Sequence, residues 1–222
     1  MLQTFLELGK DGWSVCTNGR VANSMEKMIP FASTEATGCL LKTFTKNLEP
    51  LFNTKFAHHV LHATLRHCAN RPELRKDDLI SSCITDYLDF MWDNYFTFLH
   101  DSHGSPALRV YLQLLSGVNI TKSPHTGLYE VDKVTLTDPL DPTSYISRIT
   151  DLANRFLLSE SFNAFVVDPM SGAFLQTLII ICWKRLEEDF EAICSNILRK
   201  SQLLKVPENA EILELHGKRE IR

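Results

Sequence analysis

The sequence has no surplus of positive charge. Its 23 Lys and Arg are outnumbered by 27 Asp and Glu, for a formal net charge of −4. A global basic balance, the usual footprint of nonspecific nucleic-acid binding, is therefore absent, and any such contact must come from a local patch. Long hydrophobic runs are also missing. The longest, Leu178 to Trp183, is far too short to cross a bilayer. Met1 to Lys10 has neither the basic start nor the apolar core of a secretory signal. The expectation is a soluble intracellular protein, in which Asn119-Ile120-Thr121 is an accidental glycosylation sequon.

Cysteine is present, but not in metal-binding spacing. None of Cys16, Cys39, Cys68, Cys83, Cys182 and Cys194 forms a CxxC pair, which excludes the zinc-finger pattern. Most sit beside apolar residues, as in Ile181-Cys182-Trp183, and read as buried free thiols in a reducing compartment. Catalytic signatures are lacking too. There is no GxxxxGK[ST] phosphate loop and no GxSxG elbow. Ser14, Ser102 and Cys16 have no base at a diagnostic spacing. Glu130, Asp138 and Asp141 lack EF-hand spacing. No enzyme activity, cofactor or metal is expected.

What remains is helical. Apolar residues recur at three- and four-residue spacing, and the pattern predicts helices over 21–31, 35–49, 54–70, 77–99, 103–116, 143–158, 171–182 and 184–203. Pro30, Pro50, Pro72, Gly117, Pro142 and Pro169 punctuate them. Residues 117–142 have no helical period and read as a long inserted loop. The tail, 206–222, is polar and charged at its end. The aromatic run from Tyr87 to Phe98 falls at core spacing.

Four segments share one pattern of a small or polar pair, two mostly apolar residues and a polar fifth residue: ANSMEKMI (22–29), HHVLHATL (58–65), SPALRVYL (105–112) and GAFLQTLI (172–179). Their spacing drifts, and the widest gap contains the 117–142 insertion. Such drift around an insertion is what a degenerate solenoid looks like.

The phrase DSHGSPALRVYLQLLSG (101–117) resembles a Pumilio-type repeat, in which a Gly-Ser pair opens an inner-face helix. Residues 54–65 and DPMSGAFLQTLI (168–179) resemble further copies. With its long insertion after Gly117, the array is similar to the nucleolar protein nine family. The resemblance covers about residues 16–200. It implies an all-α fold: a curved alpha-solenoid of degenerate Pumilio-like helical repeats, an armadillo-like superhelix. The repeat region would span 1–205 in about four repeats, as a fragment of a longer family array. It implies RNA on the concave face and a non-enzymatic role in maturation of the small-subunit (18S) ribosomal RNA precursor, in the nucleus and nucleolus. The implied partners are precursor RNA, single-stranded or structured, and pre-ribosomal proteins, with no membrane and no small-molecule substrate. A helical-repeat scaffold for a protein partner is the alternative.

In such repeats the first and fifth positions address a base edge and the second stacks between bases. Here those sets are Ala22, Asn23 and Glu26; His58, His59 and His62; Ser105, Pro106 and Arg109; and Gly172, Ala173 and Gln176. None matches a base-reading combination fully. Ala22, Gly172 and Ala173 offer no side-chain hydrogen bond, and Pro106 lacks an aromatic face. Weak sequence preference and backbone contacts are expected. Within 54–70, Lys55, His59, His62 and Arg66 form one helical stripe, flanked by His58. A metalloprotease helix needs glutamate where His59 stands. Zinc on His58 and His62 would need further ligands. A solvated helix face rivals RNA contact. Charge placement fits RNA contact, with two ordinary solvated faces as the equal alternative: 54–76 holds Lys55, Arg66, Arg71, Arg75 and Lys76 against Glu73, whereas 77–101 holds six aspartates and no Lys or Arg.

Overall fold

The computed structural model describes residues 12–102, 104–120, 134–186 and 190–196, the side chain of residue 158 excepted. Several of its helices begin where the sequence supplies caps. Helix α1 (Gly19–Met28) starts at Asn18, whose side chain accepts from Arg20 N at 2.9 Å. Helix α2 (Thr34–Thr45) starts at Ser33, which accepts from Ala36 N at 3.3 Å. Such caps satisfy backbone donors that the first helical turn leaves unpaired. The sequence predicted one helix over 35–49, but the chain breaks at Asn47 (φ −145°, ψ 74°) and restarts as α3 (Leu48–Phe52). Pro50 falls in the first turn of α3, where no amide donor is needed.

Helix α4 (Ala57–Asn70) ends before Arg71-Pro72, where the proline ring disfavours a helical residue ahead of it. Asp77 caps α5 (Asp78–Leu99) by accepting from Ile80 N at 3.1 Å. Asp101 accepts from Gly104 N at 2.6 Å to open α6 (Gly104–Ser116). Gly104 is required there, because a Cβ would stand 2.6 Å from the Phe98 ring. Helix α7 (Tyr145–Leu158) follows a turn organised by Asp141, which accepts from Thr143 N and Ser144 N. Short α8 (Phe162–Val167), unforeseen in the sequence pattern, leads to Asp168-Pro169 and α9 (Pro169–Arg185). Residues 190–196 are helical again.

Helices α1, α4, α6 and α9 lie in one row, each packed on the next, and α2 packs on α5 in a second row. These are the helices that carry the four repeated segments and their backing partners. Helix α7 extends the second row: Arg148 pairs with Asp89 of α5 at 2.6 Å, and Arg148 and Arg155 both lie over the Trp92 ring. The core fills the space between rows. Leu41, Leu61, Leu65, Tyr87, Tyr111 and Phe174 are all fully buried there, each contributing about 1.5–3 kcal/mol of apolar transfer. The architecture is an all-α repeat solenoid.

The insertion departs from expectation at its ends. Strands β1 (Val118–Asn119) and β2 (Thr135–Leu136) pair antiparallel, Val118 opposite Leu136 and Asn119 opposite Thr135. Arg185 of α9 donates to Ser116 O at 2.9 Å and to Thr137 O at 2.7 Å. Arg75 reaches Pro139 O and lies 3.5 Å from Asp138. The stem of the insertion is thus fastened from two sides, while 121–133 and the expected tail at 206–222 fall outside the described residues.

Candidate RNA interface

Helix α4 decides which of its histidines a ligand can meet. His59 is exposed on α4 with Arg66 two turns further on, whereas Lys55 lies ahead of the helix, which begins at Ala57 and not at residue 54 as the sequence predicted. His58 and His62 are not surface groups, and here the structure corrects the sequence reading. Each is only 3% exposed. His58 Nδ1 lies 2.9 Å from Thr54 O, and its ring stacks beside Phe52. His62 Nε2 lies 3.3 Å from Tyr87 Oη, with Phe52 tilted against its ring. The covering residues come from α3 and α5, so no pattern internal to α4 reveals them. Burial, and then the charges of His58, Arg66 and His59, hold His62 well below the usual histidine pKa. His62 is therefore neutral, and it fits a packing role. The His58 and His59 rings lie 4.1 Å apart, so the buried histidine supports the exposed one.

Two of the other first positions are interior as well, and the third, Gly172, is half-buried. Ala22 is 2% exposed and Ser105 fully buried. Ser105 Oγ donates to Met170 O at 3.0 Å, which ties α6 to the start of α9. The second positions behave otherwise: Asn23 and His59 are exposed, and Pro106 and Ala173 are half-buried. Among fifth positions, Glu26 and Arg109 are half-buried and Gln176 is exposed. Glu26 of α1 acts electrostatically on Arg66 of α4, which places these two predicted contact residues near each other across neighbouring helices.

The basic run of 54–76 is narrower than its composition. Arg71 pairs with Glu73 at 2.7 Å. Arg75 is turned into the insertion stem. Arg66 remains on α4, and Lys55 is exposed just ahead of that helix. Lys27 joins them: it is exposed on α1 one turn after Asn23, the same helical side. Sequence reasoning missed Lys27 and also Trp183. Trp183 is 37% exposed, two turns after Gln176 and so on the same side of α9. Lys184 Nζ lies 3.6 Å from its ring centre. The seven-residue spacing from Gln176 was the available signal.

The row α1–α4–α6–α9 therefore presents amide, imidazole, carboxylate, guanidinium, ammonium and indole groups. Such a set can stack on bases, meet base edges and neutralise phosphates. Among the described residues, no group of three or more His, Cys, Asp or Glu is placed to hold a metal ion, and no helix is long and apolar enough to cross a membrane.

Comparison with known proteins agrees with this architecture. The structure is similar to APUM23-GGAGUUGACGG, with a TM-score of 0.62 at 18% identity, over 89% of this chain and 37% of that one. It is also similar to APUM23-GGAAUUGACGG, with a TM-score of 0.62 at 16% identity and the same coverage. The form of APUM23 with its insert region deleted gives 0.60 at 17% identity, over 89% of this chain and 35% of that one. The chain thus spans little more than a third of these proteins, and the likeness is one of fold. No curated protein matches it. Residues 10–215 match the NOP9-like PUF repeat domain, and over that length the chain belongs to the NOP9-like PUF repeat family.

Proposed function

We propose that this chain binds RNA along the row α1–α4–α6–α9. The observation that carries the reading is the burial pattern of the repeated segments. The first positions Ala22, His58 and Ser105 turn inward, whereas Asn23, His59 and Gln176 are exposed and Arg109 half-buried on successive helices. His59 supplies a stacking surface, and Lys27, Lys55, Arg66 and Arg109 supply phosphate contacts. Glu26, Asn23 and Gln176 offer base-edge hydrogen bonds. His58, His62 and Ser105 act behind this face by fixing its helices. The aspartates of α5, including exposed Asp78, Asp86 and Asp93, lie on the backing row and leave it unsuited to phosphate.

The finer reading is binding of the small-subunit ribosomal RNA precursor in the nucleolus, without catalysis. Membership of the NOP9-like family supports it, while the structural neighbours described with the sequences GGAGUUGACGG and GGAAUUGACGG support the coarser reading of RNA as the partner. Fluorescence anisotropy with labelled segments of that precursor tests both levels. RNA binding that weakens steeply with salt is expected, with precursor segments preferred over scrambled RNA of equal length. Equal affinity for both would overturn the precursor assignment. Absence of salt-sensitive binding to either would overturn RNA binding by this chain.

A further inference from the structure

Away from the RNA row, the second row carries a groove of about 480 Å³ that the proposed function does not use. Its walls are Tyr95, Phe96 and Leu99 from the end of α5, Arg155, Phe156 and Ser159 from α7 and its end, and Phe165 from α8. The floor is aromatic: Phe156 and Phe165 lie 4.9 Å apart, and Phe96 meets Phe165 edge-on at 6.1 Å. The rim is unusually apolar for a free surface. Phe96, a wall of the groove, is 57% exposed. Large apolar side chains clustered around a concavity mark a binding surface more often than an idle one.

Charge around the groove selects the occupant. Both arginines beside it are committed, Arg148 to Asp89 at 2.6 Å and Arg155 to Asp151 at 2.8 Å, and both lie over Trp92. Asp93 is exposed on the α5 face that bears Asp89 and Phe96, and Glu160 is exposed next to Ser159. Neither has an ion-pair partner among the described residues, so the local charge left over is negative. A phosphate backbone is repelled by such a rim, whereas a basic polypeptide is attracted.

We propose that the groove between α5, α7 and α8 docks a protein segment bearing a large apolar side chain flanked by lysines or arginines. The apolar anchor enters between Phe96, Phe156 and Phe165, and the flanking cations meet Asp93 and Glu160. The test uses the full chain and a fluorescein-labelled synthetic peptide, Lys-Arg-Leu-Phe-Lys-Lys, beside two controls. One control carries glutamate at each basic position, and the other carries alanine in place of Leu-Phe. Binding of the basic peptide alone is expected. It should weaken by at least about tenfold in Phe96→Asp, the loss of the exposed apolar contact, and in Asp93→Lys, the reversal of a rim charge. Both positions are exposed, so unchanged thermal melting confirms that the variants fold. RNA affinity should be unchanged in both. Equal binding of all three peptides would overturn the proposal, as would a variant that binds like the parent. So would competition by RNA for the peptide site, or self-association in sedimentation that Phe96→Asp abolishes, which would assign the groove to a second copy.

Discussion

His59 and His62 differ by less than one helical turn and have opposite fates. His59 faces solvent, and its ring is backed by His58. His59→Ala should weaken RNA binding by about 1–3 kcal/mol, the range for loss of one stacking side chain, with no change in melting temperature. His62→Ala should do the reverse, lowering stability more than it alters the binding of the folded fraction. The pH dependence of stability follows from the same burial. An unfolded His62 takes up a proton near its ordinary pKa of about 6.5. The folded one resists protonation to well below that value, chiefly through burial. Between those limits the unfolded chain binds more protons, so stability present above about pH 6.5 is lost as pH falls. His67, also lowered first by burial and then by Arg71, acts in the same direction. Urea midpoints at about pH 7.5 and about pH 5.5 should show the loss, and His62→Leu should reduce it. An undiminished loss in that variant would refute the role of His62. The sequence showed that three histidines share a helix. It did not show which would be covered, because Phe52 and Tyr87 reach them from other elements.

At the scale of elements, part of the local punctuation was legible. The stops at Pro72 and Gly117 were read from the sequence, and the caps at Asn18, Ser33 and Asp77, though equally short-range in their chemistry, emerged only in the structure. The break at Asn47, the short α8 and the ladder of β1 and β2 were not legible. Each depends on long-range partners or on segments too short for periodicity to register. The stem of the insertion makes the contrast testable. Gly117 holds a left-handed conformation at φ 65°, and a Cβ there would collide with the Thr137 carbonyl oxygen. Gly117→Ala should therefore destabilise the chain by at least about 1–2 kcal/mol, the cost of the left-handed conformation alone. Arg185→Met, which removes the bonds to Ser116 O and Thr137 O, should increase amide exchange at 117–119 and 135–137 while leaving α4 protected. Faster exchange spread evenly over the chain would show that Arg185 fastens more than the stem.

At the scale of the molecule, the two rows differ in a way that the net charge of −4 conceals, and the proposed function rests on that difference. Accessible cations and stacking groups occupy α1, α4, α6 and α9, whereas acids and exposed aromatics occupy the backing row. Four cations on the RNA face give a predicted slope of log affinity on log salt of about −3 for single-stranded RNA, from roughly 0.7 per phosphate neutralised. Arg66→Gln should make that slope shallower by about 0.7 and weaken binding to all sequences alike. A variant with the parent slope would remove Arg66 from the interface. Sequence composition suggested a wider basic patch, because ion pairing of Arg71 and the turn of Arg75 toward the insertion are tertiary facts. The four segments found by their shared residue pattern, by contrast, do fall on helices α1, α4, α6 and α9.

Photocrosslinking of the full chain to ribosomal RNA precursor, with mapping of the crosslinked peptides, tests the central claim most directly. The account predicts crosslinks on α4 around His59 and on α9 around Gln176 and Trp183, with none on α5. Crosslinks confined to residues 78–99 of α5 would place the RNA on the acidic row and contradict it.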